Sequence, residues 1–67
     1  MNNRLEELRQ SKGLSQADLG TALEVSRQTI ISLEKGRYNP SLALAFKISR
    51  FFDKQIEDIF FDTEQES

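Results

Sequence analysis

Four side chains lie close together in the stretch SQADLGTALEVSRQTIISLEK, which runs from Ser15 to Lys35. Arg27, Gln28, Thr29 and Ser32 all carry groups that hydrogen-bond base edges and phosphate oxygens. An arginine pairs bidentately with guanine and a glutamine with adenine, each worth about 1–3 kcal/mol of discrimination against the wrong base. Thr29 can offer its methyl to thymine or its hydroxyl to a phosphate, and Arg27 can serve a base or the backbone. A helix built only to fill a core has no use for such groups on its outer face. Their chemistry is that of nucleic-acid contact.

The elements that would position them follow from spacing. Ser15 reads as an N-cap, and Asp18 three residues on makes a capping-box pair. Leu19 and Leu23, four apart, form the inward stripe of this helix. Gly20 in its middle costs up to ~1 kcal/mol against alanine, which is understandable if the backbone of another helix presses close. Glu24 and Val25 form the turn, and Glu24 must take a left-handed bend that glycine or asparagine adopts more easily. Ser26 then caps the helix that carries Arg27 to Ser32, with Ile30 and Leu33 turned inward. Two short helices and a tight turn result, a helix-turn-helix.

The rest of the chain supports that unit. Residues 2–11 place Leu5 and Leu8 on one stripe, with Asn2 or Asn3 as cap and Gly13 as stop. Arg37 to Pro40 form a loop, in which Tyr38 is expected to pack its ring on the helix that follows. Ser41 caps that fourth helix, whose Leu44, Ala45, Ile48 and Phe52 suit the core. A fifth helix spans Gln55 to Phe60, and IFFDT is the only segment able to pair as a short strand. These elements predict an all-α domain over residues 1–61 and an acidic polar tail over 62–67.

Composition narrows the function. Sixty-seven residues make one small domain. No long apolar run or signal-peptide pattern is present, so the sequence predicts a cytoplasmic protein without membrane contact. Cysteine and histidine are absent, which removes disulfides, thiolate zinc sites and the commonest general base. No enzyme, metal, cofactor or small-molecule ligand is therefore expected. The net charge of −2 argues against a polyanionic partner, but it is unevenly spread. Eight bases and five acids precede Asp53, whereas six acids and one base follow from Asp53 onward.

Taken as a set, Leu14–Leu19, Val25–Ile30, Leu33–Gly36, Asn39–Leu42 and the closing Ile56–Phe60 resemble the lambda-repressor-like, Cro/C1-type (Xre) helix-turn-helix regulators of bacteria and phages. The resemblance runs from residue 4 to about 60, in the compact form that is little more than a DNA-binding domain. It implies five helices, the second and third reading the major groove, and a homodimeric repressor on an inverted repeat of double-stranded DNA. It places Gln16, Ser26, Arg27, Gln28, Thr29, Ser32, Lys35, Arg37 and Asn39 on DNA, with Gln16 and the loop residues on phosphates. It also implies a partly buried salt bridge between Arg9 and Glu34. Two positions depart from the pattern: Glu24 stands where glycine is usual, and Gly20 where alanine is.

Apolar residues exceed what one small core needs. Phe51, Ile56, Phe60 and Phe61 are read as a self-complementary dimer interface, and Ile31 as a contact to a thymine methyl or the neighbouring loop. The alternative to a regulator is a protein-interaction module of the same fold, antitoxin-like or anti-repressor-like.

Overall fold

The computed structural model describes residues 2–61; the predicted acidic tail lies outside them. The chain runs β1 (Asn2–Asn3), α1 (Leu5–Ser11), α2 (Gln16–Leu23), α3 (Arg27–Glu34), α4 (Leu42–Phe52), α5 (Ile56–Ile59) and β2 (Phe60–Phe61). The two strands pair antiparallel, Asn2 opposite Phe61 and Asn3 opposite Phe60. The five helices stand as the sequence predicts. The segment IFFDT does contribute a strand, but its partner at the opposite end of the chain carries no sequence signal.

That pairing corrects the start of α1. Asn2 and Asn3 are spent on β1, and Arg4 occupies the cap position without a side-chain cap bond. Asn3 still serves the helix from one residue further out, because its Oδ1 accepts the Leu5 N–H at 3.0 Å. Its Nδ2 donates to the Leu33 carbonyl at 2.7 Å, tying the strand to the end of α3.

The core forms where the inward stripes meet. Leu5, Leu19, Ile30, Leu33, Ile48 and Ile59 are fully enclosed, so all five helices contribute at least one side chain to a common interior. Helices of eight residues do not persist alone in water, where about 12–15 residues are marginal. Burying a leucine or isoleucine contributes about 1.5–3 kcal/mol, more than the roughly 1 kcal/mol of a capping serine. Ile30 and Leu33 therefore hold α3 in place, while Ser26 sets where it begins.

Phe60 and Phe61 divide as successive strand residues do, one to each side. Phe60 is buried in the core and Phe61 is exposed. Phe60 is thus mainly a core residue, whereas Phe61 is the exposed one of the two. Phe51 is half-buried, edge-on to Phe52 with ring centroids 5.0 Å apart, and its ring lies beneath the Lys12 ammonium.

Candidate nucleic-acid interface

The turn between α2 and α3 fixes the angle at which the candidate residues are presented. Ser15 accepts from the Asp18 N–H at 2.9 Å while Asp18 accepts from the Ser15 N–H at 3.1 Å, completing the capping box. Glu24 ends α2 in the left-handed conformation, φ 64° and ψ 38°. The Val25 N–H donates to the Gly20 carbonyl at 2.9 Å, folding the turn back onto the helix. A Cβ at Gly20 would stand 2.8 Å from the Val25 carbonyl oxygen, a backbone atom that cannot rotate away. What presses on Gly20 is chiefly the turn, followed by the start of α3, whose Arg27 nitrogen would lie 3.4 Å from that Cβ. Lys47 of α4 reaches across to the same place, donating to Glu24 Oε1 at 3.1 Å and to the Leu23 carbonyl at 3.4 Å.

Ser26 accepts from the Thr29 N–H at 3.1 Å, and the Ser26 and Thr29 hydroxyls bond each other at 3.0 Å. One hydroxyl proton of the two is consumed inside this pair, leaving one for an outside acceptor. Arg27 and Gln28 are exposed, and Ser32 lies one turn beyond Gln28 on the same helical stripe. None of these three side chains has a hydrogen-bond or ion-pair partner among the described residues. Ile31 is half-buried, between stripe and core.

Tyr38 departs from expectation. Its ring is exposed and lines, with Ser26, Gln28, Thr29 and Ser32, a shallow depression of about 150 Å³. It belongs to the outer face of α3, not to a packing contact on α4, because the Arg37 N–H donates to the Ser32 carbonyl and keeps the loop beside that helix. The other loop candidates separate. Lys35 borders a depression with Asn2, Asn3, Glu34 and Gly36. Asn39 borders a groove of about 320 Å³ on the opposite side of the loop, with Pro40, Leu42, Ala45, Ile56 and Phe60.

Gln16, read as a phosphate contact, has an internal partner: its Nε2 donates to Glu34 Oε1 at 3.2 Å. The same carboxylate receives Arg9, with Nε to Oε2 at 2.6 Å and Nη2 to Oε1 at 3.3 Å. Arg9 Nη1 also donates to the Leu14 carbonyl at 2.8 Å. The side chains of this pair are 10% and 4% exposed, so the bridge between α1 and α3 is buried. The hydrogen bond to Glu34 holds the Arg9 guanidinium above its ordinary pKa, outweighing the opposing effect of burial.

These pairings decide the local charge. Between Ser15 and Arg37 the three acids are all engaged: Asp18 in the capping box, Glu24 with Lys47, Glu34 with Arg9. The three bases of that stretch, Arg27, Lys35 and Arg37, have no ion-pair partner among the described residues. Arg9 and Lys47, from outside the stretch, offset Glu34 and Glu24, which leaves three unpaired bases beside the single acid Asp18. Among the described residues no cluster of acids could hold a metal ion, and no helix is long and apolar enough to cross a membrane.

Comparison with known proteins agrees with the geometry. The helix-turn-helix family profile matches residues 5–59. An HTH-type transcriptional regulator of Methanocaldococcus jannaschii is 58% identical over 60 residues, 90% of this chain and 91% of the relative. The HTH-type transcriptional regulator YgzD of Bacillus subtilis is 46% identical over 65 residues, 97% of this chain and 98% of the relative. Among solved structures, the restriction-modification controller protein C.AhdI of Aeromonas hydrophila superposes with a TM-score of 0.75 at 35% identity, over 85% of this chain and 86% of that one.

Proposed function

The chain belongs to the Cro/C1-type helix-turn-helix family of transcriptional regulators, which are not enzymes, and on that premise we propose that it is a sequence-specific repressor acting as a homodimer. Arg27, Gln28 and Ser32 enter the major groove of double-stranded DNA, as the first turns of a recognition helix do. Gln16, Ser26 and Thr29 meet the flanking backbone, and Lys35, Arg37 and Asn39 add salt-sensitive affinity. The observation that carries this reading is the outer face of α3 and its loop, where Arg27, Lys35 and Arg37 have no ion-pair partner among the described residues while Glu24 and Glu34 are paired with Lys47 and Arg9.

A second copy is the occupant that best fits the groove of Pro40, Leu42, Ala45 and Ile56. Leu42 is 69% exposed at its rim, and Phe46 lies one helical turn further along α4, also exposed. The groove begins at Asn39, within the loop that follows α3, so a partner seated there would fix the separation of two recognition helices. Two-fold symmetry then calls for an inverted repeat, with helices about 34 Å apart. Phe60, buried in the core, supports the floor of this groove from within. Bound over a promoter in the cytoplasm, the dimer blocks polymerase by occlusion.

The test is selection of binders from a random duplex pool at moderate salt. An enriched inverted repeat with half-site centres about ten base pairs apart supports the whole reading. A single short motif keeps the DNA role and removes the symmetric dimer. No enrichment by folded protein overturns it in favour of a protein-binding module, for which exposed Leu42 and Phe46 would be the surface.

A further inference from the structure

Glu34 is an acid on a helix proposed to lie against DNA, yet its charge does not face solvent. Its side chain is 4% exposed and its two oxygens receive three donors, two from Arg9 of α1 and one from Gln16 of α2. A single carboxylate thus joins three helices. The bridge to Arg9 alone accounts for its burial. The bond to Gln16 is additional, and it falls on a half-exposed residue at the first position of α2.

A carboxamide has two N–H donors on nitrogen and an acceptor oxygen. Glu34 takes one of the two N–H groups. Turning the amide over would set the Gln16 oxygen against the Glu34 carboxylate, two acceptors face to face, which burial in a low-dielectric junction makes costly. The carboxylate therefore dictates which end of the amide is held, and leaves the second N–H of that nitrogen without a partner among the described residues. A phosphate oxygen only accepts, so an outward N–H suits it and an outward carbonyl repels it. We infer that Glu34 is a positioning residue for the DNA backbone: it orients the Gln16 amide so that an N–H is presented to phosphate, fixed before DNA arrives. Such preorganisation removes the cost of ordering a long side chain during binding. The inference rests on the DNA-binding reading above.

The experiment uses the operator duplex recovered by selection, with a single neutral methylphosphonate moved along its backbone. Wild-type protein should lose about tenfold in affinity when the phosphate at Gln16 is neutralised, the size of a hydrogen bond to a charged group. Q16A should lose a similar factor on unmodified DNA and ignore that one modification. E34Q should also ignore it while responding normally at the other phosphates. A glutamine there leaves the Gln16 amide free to turn, whereas a purely structural role would scale all positions together. If E34Q does not fold, the same scan is run on R9M/E34M, which removes both buried charges. A wild-type profile in the Glu34 variant overturns the inference, as does wild-type affinity in Q16A; both leave the DNA reading standing. Wild-type protein without specific DNA affinity overturns both.

Discussion

At the scale of single residues, partnered and unpartnered side chains should behave differently on substitution. Arg27→Ala and Gln28→Ala remove groups with no internal contact, so each should cost about 1–3 kcal/mol of discrimination at its base pair and leave thermal stability unchanged. Fluorescence anisotropy on matched and mismatched duplexes, beside a melting curve, separates the two effects. Arg9 and Glu34 should show the reverse. Breaking the pair from one side, by Glu34→Ala, should cost about 3–5 kcal/mol in urea unfolding, whereas replacing both partners with apolar residues should be near neutral. Because hydrogen bonding raises the Arg9 pKa, its contribution is complete below the ordinary arginine range and fails only far into alkali. The exposed Arg4–Glu7 pair has an acid-side response. The hydrogen bond from Arg4 lowers the Glu7 pKa, so its contribution is present above the ordinary carboxylate range and disappears as pH falls through the lowered value. Comparing wild type with Glu7→Gln across that limb, at low and high salt, should show a small difference that salt erases.

At the scale of elements, the turn of the reading unit holds two opposed strains. Gly20→Ala gains helix propensity of up to ~1 kcal/mol, but its methyl would meet the Val25 carbonyl at 2.8 Å. The expected outcome is net destabilisation, read as a lower urea midpoint. Glu24→Gly should do the opposite, relieving a left-handed residue worth about 1–2 kcal/mol against an exposed bridge to Lys47 worth about 0–1. The left-handed bend at Glu24 and the close approach at Gly20 were both legible in the sequence, because caps, turns and inward stripes are local chemistry. The partner of β2 was not, since Asn2 and Asn3 carry no strand preference and read more simply as a helix cap. Phe60 was misplaced for a related reason. A run of aromatics shows too much apolar surface, but only the strand's alternation decides which ring turns inward. Tyr38 was misread because an aromatic after a helix suggests packing, and nothing local says that its loop lies back along α3. The Gln16–Glu34 bond spans eighteen residues and left no trace in spacing.

At the scale of the whole molecule, charge and apolar surface lie on different parts of the chain, and each predicts a separate behaviour. If Lys35 and Arg37 meet phosphates, log affinity should fall linearly with log salt, and removing either should reduce the slope by about one. Leu42→Asp places a charge at the rim of the apolar groove, on a side chain already 69% exposed, so it should abolish dimers in analytical ultracentrifugation without lowering the melting temperature. The two-stranded sheet has a consequence of another kind. With Asn2 bonded opposite Phe61, and the Arg4 N–H donating to the Ile59 carbonyl at 2.9 Å, the described chain is close to a ring. During translation, β1 cannot complete its pairing until Phe60 and Phe61 have left the ribosome. The capping and turn chemistry of α2 and α3 is local and available long before that. A nascent chain would thus form its helix-turn-helix ahead of the closure that locks α1 in place.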